Sequence, residues 1–424
     1  MNAIDPRRGR RRTLTVRRPP ISGAPRWIDR RIAPIFHSLL DRIDRGLERG
    51  SLEASLPDGT RRLLGGRLPG PHCEVDLIRW RALIRLVTGG SAGWYRAYAA
   101  REWNSPDPVP LFDLFMTNAV ALGQAARPNG PARWTGRFAH WLRRNSRSGS
   151  RHNIEYHYDL GNDFYRLWLD ADMHYSSALF RDPDGPLEGL EQAQHRKVDA
   201  ILDRLVLKDG DALLEIGCGW GGLAERAMAR ADIAYTGLTL STEQADYATD
   251  RLGSGACIAL TDYRDAQGQY DAIASVEMVE AVGQRYWPDY LAAIHRLLKP
   301  GGQAAIQYIL IDDAIFDRYA RGADFIQTYI FPGGMLISES RFRALAERQG
   351  LEWRDVHRFG RHYAETLRRW RLRFDRAIEA GDLPPAFDQH FVTLWRYYLQ
   401  YCEGGFKSGT IDVAQVTLVK PTTT

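Results

Sequence analysis

Cysteine is scarce in this sequence of 424 residues. The four cysteines, Cys73, Cys218, Cys257 and Cys402, form neither a CxxC pair nor a Cys/His spacing typical of zinc ligands. The sequence therefore predicts no disulfide framework and no metal site, and it favours a reducing, cytoplasmic compartment.

Long apolar runs are missing as well. No segment approaches the roughly 20 consecutive apolar residues that a transmembrane helix requires, and the arginine-rich start lacks the apolar core of a signal peptide. We therefore expect a soluble chain. With 44% hydrophobic residues, its length is sufficient for two domains or more.

Acidic residues are absent from one long segment. Between Asp113 and Glu155 the sequence has no Asp or Glu, whereas arginines accumulate there. Trp134, Phe138 and Trp141 recur in this segment at helical spacing and predict a basic amphipathic helix. Aromatic and basic residues together are typical of helices that bind anionic bilayers. An ordinary interdomain helix and a nucleic-acid contact are the alternatives.

Changes in composition divide the chain into four parts. The predicted parts are an arginine-rich disordered arm (1–22), an α+β accessory domain (23–130), a basic amphipathic linker (131–152) and a larger domain (153–424). In the accessory domain, Asp58-Gly59 predicts a turn between strands, and "VDLIRWRALIRLV" predicts a helix.

The larger domain alternates strands and helices. "DALLEIGCGWGGLAERAMA" predicts a buried strand, a glycine-rich turn and a helix from about Trp220. Further strands are predicted near 234–240, 256–261, 270–276, 303–311 and 411–419, with helices near 241–252, 286–298 and 338–349. This alternation predicts a doubly wound α/β sheet. The segment 312–410 interrupts it, and its aromatic helical stretches are expected to cover the carboxyl edge of the sheet.

The glycines of "EIGCGWGG" predict a ligand at the first turn. Gly217, Gly219 and Gly221 allow a backbone to approach a ligand without an intervening side chain. Their spacing also fits the pattern of dinucleotide-binding folds, so spacing alone does not identify the ligand. No phosphate-gripping Lys-Ser/Thr pair follows them.

Several longer motifs identify a family. "LLEIGCGWGG" resembles the S-adenosylmethionine-binding first motif of class I methyltransferases. Five further stretches resemble motifs of the cyclopropane-fatty-acyl-phospholipid synthase family. They are "HYDLGNDFYRLWLDADMHYSSALF", "TGLTLSTEQADYA", "SVEMVEAVG", "DFIQTYIFPGG" and "YCEGGFKSG". This resemblance covers roughly 150 to 421, and "LPDGTRRLLGG" resembles the accessory domain of longer members. It implies a class I methyltransferase sheet with an antiparallel last strand and a helical lid insertion.

The resemblance implies S-adenosylmethionine as cofactor. The family's cofactor contacts correspond here to Tyr175, Ser176, Gly217, Cys218, Gly219, Thr239, Gln244, Asp262 and Tyr263. Thr239 lies where many nucleotide-binding sheets carry an acidic residue for the ribose, so a hydroxyl and the Gln244 amide are expected to make that contact. Cys218 is interpreted as a small turn residue rather than a nucleophile.

The resemblance also implies how the carboxylates of "SVEMVEAVG" act. Methyl transfer to an isolated alkene generates a carbocation, and ring closure then requires a base beside an apolar chain. The family holds a bicarbonate ion for this task, in a site to which Glu280, Ile309 and Tyr363 correspond. A carboxylate at Glu280 would anchor that anion and stabilise positive charge. Glu277, three residues before Glu280, would lie either on the same helical face or at the end of the strand, where packing or a backbone hydrogen bond explains it equally well. Glu277 is not predicted to be catalytic.

Three residues differ from those at the corresponding positions of better-known synthases. Ser177 replaces a Cys, Gln307 replaces a His, and Ala281 replaces another His. Glutamine donates or accepts a hydrogen bond but does not carry a proton near neutral pH, so the anion site containing Ser177 and Gln307 is altered. Methyl transfer remains predicted, whereas ring closure competes with loss of a different proton, which gives a methylene- or methyl-branched chain.

The predicted function is transfer of a methylene unit to the double bond of a membrane phospholipid, forming a cyclopropane fatty acid. The expected partners are unsaturated acyl chains and an anionic membrane surface, with the protein peripheral on the inner leaflet. Branched-chain formation, small-molecule N- or O-methylation and a non-catalytic lipid-binding scaffold are the alternatives. Nucleic acid is not an expected substrate, because the Asn/Asp-Pro-Pro-aromatic motif is missing. A homodimer is expected by analogy alone.

Overall fold

The computed structural model describes residues 27–123, 160–185 and 188–422. These residues form two compact units that are not contiguous in sequence. The first unit combines 27–123 with 321–329 and 389–410, and the second contains the rest. This division departs from the predicted boundary between 23–130 and 153–424, because two segments of the larger domain make their contacts with the N-terminal residues. The arm at 1–22 and the basic segment at 131–152 lie outside the described residues.

Helices and strands follow one another along the described chain. In the N-terminal part they are α1 Trp27–Gly46, β1 Arg49–Ser55, β2 Arg61–Gly65, β3 Leu68–Leu77, α2 Arg81–Ala99, β4 Trp103–Asn104 and α3 Val109–Thr117. They continue with α4 Asn162–Arg166, α5 Leu190–Leu205, β5 Ala212–Ile216, α6 Gly222–Arg230, β6 Ala234–Thr239, α7 Thr242–Leu252, β7 Ala256–Leu260, β8 Tyr270–Val276, α8 Trp287–Leu297, β9 Leu298–Ile311, α9 Asp313–Tyr319, α10 Phe325–Tyr329, α11 Glu339–Arg348, β10 Glu352–Arg358, α12 Gly360–Ala380, α13 Gln389–Lys407 and β11 Ile411–Val419.

The first unit contains a four-stranded sheet in the order β2-β1-β3-β4. β1 and β2 are antiparallel, and the predicted Asp58-Gly59 turn joins them, with Gly59 at φ +87°. The prediction of one helix over "VDLIRWRALIRLV" is wrong at its start. Val75 and Leu77 belong to β3, where buried and partly exposed residues alternate, and α2 begins only at Arg81. Every second side chain of this segment is buried against the core, and this alternation is that of a strand rather than of a helix.

Aromatic residues of α13 pack inside the first unit. The Tyr397 ring lies 5.2 Å from Phe112 and 4.8 Å from Phe325, measured between centroids. At the end of the helix, Thr410 Oγ1 donates a hydrogen bond to the Met116 carbonyl. The apolar face of this helix is therefore buried against helices of its own unit.

The second unit contains a seven-stranded sheet in the order β10-β11-β9-β8-β5-β6-β7. The five strands from β9 to β7 pair in parallel, and β11 pairs antiparallel with β9. This confirms the predicted class I methyltransferase fold with its antiparallel last strand. β10 was not predicted, because its sequence EWRDVHR is charged and almost fully exposed, as suits an edge strand.

The strand order places a switch point beside β5. From this central strand the chain continues to β6 and β7 on one side and to β8 and β9 on the other. The glycine turn follows the carboxyl end of β5, and Glu277 follows that of β8. Ligands of open parallel sheets bind at such a point. Among the described helices, none combines the length and hydropathy needed to cross a bilayer.

Candidate active site

The glycine turn after β5 is shaped for a ligand. Gly217 and Gly219 have φ of +85° and +53°, values that favour glycine. The Gly217 and Cys218 N–H groups both donate to the Leu238 carbonyl, at 3.0 and 2.9 Å. A Cβ at Gly219 would meet no atom within 4 Å among the described residues other than its two neighbours. The turn is therefore anchored on one side and open at Gly219, as a backbone that approaches a cofactor requires.

Two more cofactor positions lie at the end of β6 and the start of α7. Thr239 Oγ1 donates to Gln244 Oε1 at 2.9 Å, and the Ser241 N–H donates to Thr239 Oγ1. Ser241 caps α7 by accepting from the Gln244 N–H. The structure thus brings the predicted hydroxyl and amide together beside the glycine turn, since Leu238 precedes Thr239.

The third pair of predicted cofactor residues follows β7. Asp262 accepts hydrogen bonds from Arg264, including one of 2.8 Å from Nε. The Tyr263 ring is buried and packs edge-on against Tyr290, at 5.5 Å between centroids. Asp262 is therefore neutralised within the chain, and its contact with a cofactor stays a prediction.

The segment Tyr175–Ser177 contacts α5 through Ser176. Lys197 Nζ donates to Ser176 Oγ at 2.7 Å, and Gln194 Nε2 donates to the Ser176 carbonyl at 2.9 Å. Ser177 Oγ donates to the Ala178 carbonyl. The Ser177 hydroxyl is thereby directed to its own backbone, and its N–H is the group that faces the carboxylates.

Glu277 lies at the centre of the site. Its Oε1 accepts from the Ser177 N–H at 2.8 Å and from Gln307 Nε2 at 2.7 Å. Its Oε2 accepts from the Tyr363 hydroxyl at 2.6 Å. Burial raises the pKa of Glu277, and these three donors oppose that shift. Glu277 was not predicted to be catalytic, yet three of the predicted catalytic residues donate hydrogen bonds to it.

Glu280 has one satisfied oxygen and one unsatisfied oxygen. Oε1 accepts a short hydrogen bond from the Ile309 N–H. Oε2 is buried and has no hydrogen-bond partner among the described residues. Burial, with the nearby Glu277 charge as a second cause, raises the pKa of Glu280 to about 8. A buried carboxyl oxygen without a partner is an expected contact for a ligand.

Gln307 links Glu277 to a second glutamine. Gln415 Nε2 donates to Gln307 Oε1 at 3.0 Å and to the Lys197 carbonyl at 3.3 Å. Both glutamine side chains are fully buried. Because Oε1 of Gln307 accepts, its NH₂ group must face Glu277, so the amide orientation is set by its partners. Gln415 was not identified from the sequence.

Lys197 is a second residue that the sequence analysis missed. It is only 2% exposed, and burial lowers its pKa to about 8. Glu215 on β5 is likewise buried, with its pKa raised to about 8 by burial, and it accepts a hydrogen bond from the Tyr235 hydroxyl. One signal was present in the sequence: Lys197 falls four residues from Ala193 and from Ile201, on the apolar face of α5.

Aromatic rings join Tyr175 to Tyr363. The Trp370 ring lies 5.5 Å from Tyr175 and 6.1 Å from Tyr363, measured between centroids. Trp168 and Phe331 also contact the Tyr175 ring, at 5.3 and 6.4 Å. The site therefore combines buried carboxyl groups with an apolar, aromatic wall, an environment that suits chemistry on an apolar chain.

Comparison with known proteins identifies the family of the chain. The family model described as mycolic acid cyclopropane synthetase matches residues 145–416. The chain belongs to this family. The tuberculostearic acid methyltransferase of Mycobacterium tuberculosis is 38% identical over 357 residues, covering 79% of this chain and 80% of that protein. The cyclopropane-fatty-acyl-phospholipid synthase of Escherichia coli is 34% identical over 337 residues, covering 78% of this chain and 84% of that protein.

Solved structures of the family share the fold. A mycolic acid cyclopropane synthase in complex with SAH and CTAB matches with a TM-score of 0.59 and 31% identity, covering 64% of this chain and 98% of that one. These matches confirm the predicted family, and the chain is an S-adenosylmethionine-dependent C-methyltransferase of the cyclopropane synthase type. The open glycine turn at Gly219 fits that cofactor.

Proposed function

We propose that this protein transfers a one-carbon unit from S-adenosylmethionine to the double bond of an unsaturated fatty acyl chain of a phospholipid, forming a cyclopropane ring. The observation that supports this most is a partly buried carboxylate, Glu277, held by three donors beside an aromatic wall. Ring formation needs a base in an apolar surrounding, and this arrangement supplies both. The function predicted from sequence and the family of the chain agree with the proposal.

The cofactor would be held at the glycine turn. Gly217 and Gly219 would let the cofactor approach the backbone, with Thr239 at the end of β6 and Gln244 in the first turn of α7 beside them. Tyr175 and Ser176 are the other proposed contacts. When bound, S-adenosylmethionine supplies an electrophilic methyl group on a positively charged sulfur. A Cβ on Gly217 would meet Met278 Cγ at 3.0 Å, so the turn touches the segment that carries Glu277 and Glu280. Cofactor and carboxyl groups are thereby adjacent.

The chain's residues would align the acyl chain and exclude water. Tyr175, which is only partly buried, would offer its ring face to an apolar chain and attract developing positive charge, with the fully buried Trp168 and Trp370 packed against it. Glu280, when ionised, places negative charge near that position through its unpartnered Oε2. Positioning of a reactive methyl group and an alkene in a dry site supplies much of the acceleration.

A branched product is the second candidate. The relative that is 38% identical over 79% of this chain is named as a tuberculostearic acid methyltransferase, which favours methyl transfer to an acyl chain without necessarily closing a ring. Both candidates share the first step and differ in which proton is lost afterwards. A ring and a methylene branch each add one CH₂, so mass alone does not separate them.

Proton NMR of the recovered lipid tests the proposal. Purified protein is incubated with S-adenosylmethionine and unsaturated phospholipid vesicles, and the acyl chains are then analysed by NMR and mass spectrometry. We expect upfield cyclopropane protons in lipid that has gained one CH₂. Vinylidene or branched-methyl signals would instead establish the second candidate, and lipid without added carbon would contradict both.

We also propose that the basic segment at 131–152 binds the protein to an anionic membrane. The argument comes from its sequence, in which Trp134 and Trp141 recur at helical spacing among arginines. Replacing both tryptophans by Ala is expected to weaken binding to anionic vesicles roughly 10-fold or more, since two aromatic anchors are lost. Sedimentation with vesicles measures this change. Unaltered sedimentation would reject the docking role, and Trp353→Ala, on β10, is a tryptophan control outside the segment.

A further inference from the structure

The expected bicarbonate site does not fit the hydrogen bonds of the structure. The Ser177 N–H and the Tyr363 O–H each carry one proton, and each donates it to Glu277, at 2.8 and 2.6 Å. The Ile309 N–H donates to Glu280. A bicarbonate ion would have to displace a buried carboxylate to obtain these donors.

The polar atoms of Gln307 are also engaged with other groups of the chain. One proton of its NH₂ group is directed to Glu277 at 2.7 Å, and the same nitrogen lies 3.5 Å from the Ser177 carbonyl. Its Oε1 accepts from Gln415. Placing a second anion beside Glu277 and Glu280 would add like-charge repulsion in a buried site. The residues present therefore do not fit bicarbonate.

We propose that the carboxylate of Glu277 is a built-in base that takes the place of the external anion. This inference rests on the proposed function and names the base for its last step. The alkene's π electrons form the new C–C bond, and the carbon–sulfur bond breaks with its electron pair remaining on sulfur. Glu277 then accepts a proton from the alkylated chain. The electrons of that C–H bond close the ring, or form the double bond of a methylene branch, and the proton is later released to solvent.

The acceptor positions of Glu277 show which of its oxygens is able to accept the proton. An ionised carboxylate has about two acceptor positions on each oxygen. On Glu277, Oε1 fills both with Ser177 and Gln307, whereas among the described residues Oε2 accepts one hydrogen bond, from Tyr363. Oε2 therefore retains a position for a proton. Burial raises the pKa of this carboxyl, which makes its ionised form a stronger base than an exposed carboxylate.

The backbone at Glu277 is strained in a way that supports a functional role. Glu277 has φ +50°, a left-handed conformation that is unfavourable for a non-glycine residue. Its N–H donates to the Gln307 carbonyl at 2.8 Å, which fixes the turn at the end of β8. Glycine would fit this conformation without strain. A charged residue at a position suited to glycine indicates that the side chain has a task there.

Two variants test the role of the carboxylate. Glu277→Gln retains the shape and removes the base, and we expect it to lower turnover about 10²- to 10⁴-fold. Glu277→Gly suits the positive φ and opens a space the size of a carboxylate among the freed donors. We expect its activity to be low and to be restored in part by added formate or bicarbonate. Asp355→Gly is the control, because Asp355 is an exposed acidic residue at φ +55°.

Bicarbonate dependence tests the same inference on the unmodified protein. In buffer depleted of carbon dioxide, we expect wild-type turnover to change less than about twofold. Turnover that collapses on depletion and returns with bicarbonate would overturn the inference, as would full activity of Glu277→Gln. If wild-type protein modifies no lipid in either buffer, the proposed function itself fails.

A binding measurement decides the matter independently of activity. Carbon-13 NMR with labelled bicarbonate is expected to detect binding to Glu277→Gly at least about 10-fold tighter than to wild type, which lacks free donors. Equal binding to both proteins would overturn the inference. Affinity of each variant for S-adenosylmethionine, measured by calorimetry, verifies that the site is folded.

Discussion

Replacing Glu280 by Gln is expected to lower turnover about 10²- to 10³-fold, the usual effect of removing one preorganised electrostatic group. The amide retains the volume of the side chain and an oxygen that accepts from the Ile309 N–H. It removes the negative charge that the carboxyl group, whose pKa is raised to about 8, places in its ionised form on the side where Oε2 is buried without a partner among the described residues. Because this charge acts on the transition state, affinity for S-adenosylmethionine should change less than about threefold.

Steady-state kinetics together with calorimetry provide the measurement for Glu280→Gln. Glu379→Gln is the matched control, since Glu379 is exposed on α12. Unchanged turnover in Glu280→Gln would remove this residue from the mechanism. A loss of cofactor affinity equal to the loss of turnover would instead make Glu280 a binding residue.

The pH dependence of the unfolding free energy provides a second test of Glu280→Gln. Burial raises the pKa of Glu280 from 4.5 to about 8, so the folded protein holds this proton over a range in which the unfolded chain releases it. The stabilisation is fully present below pH 4.5 and is lost as the pH rises towards 8. Wild type should therefore lose more unfolding free energy than Glu280→Gln between pH 5 and 8, as measured by urea titration. Parallel curves would contradict the assigned pKa shift.

Replacing Gly219 by Ala is expected to weaken binding of S-adenosylmethionine about 10- to 100-fold, or ~1.4 to 3 kcal/mol. Apart from the adjacent residues, no atom of the described part of the chain lies within 4 Å of the added Cβ, so we expect the methyl group to meet the cofactor. The turn is anchored through Gly217 and Cys218 on Leu238, and it therefore has little freedom to move aside.

Gly210→Ala is the control for the backbone effect. Gly210 is exposed, has φ +88°, and also has no atom within 4 Å of an added Cβ. Both variants should lose about 1 kcal/mol of stability from the positive φ, and only Gly219→Ala should lose cofactor affinity. Calorimetry and thermal unfolding separate the two effects. Equal affinity in the two variants would show that the cofactor does not approach Gly219.

Local patterns were sufficient to predict most of the sheet. The strand prediction over 270–276 agrees with β8, and the prediction over 411–419 agrees with β11, because buried strands have continuous apolar runs bounded by turn residues. β10 was missed because an exposed edge strand lacks such a run. The first residues of "VDLIRWRALIRLV" were wrongly assigned to a helix. A short apolar stretch fits both the helical and the strand period, and only its packing partners in the fold distinguish them.

The sequence by itself determined the family, the α/β fold, the glycine turn and the residue types of the site. These depend on short motifs and on periodicity, which are properties of neighbouring residues along the chain. The tertiary structure decided how the site is connected. Ser177 lies 100 residues from Glu277, and Tyr363 lies 86 residues from it, yet both donate to its carboxylate. Such pairings depend on strand order and on the turn at φ +50°, which orients Glu277. Folding, rather than spacing in the sequence, made Glu277 the centre of the site and placed Lys197 and Gln415 behind it.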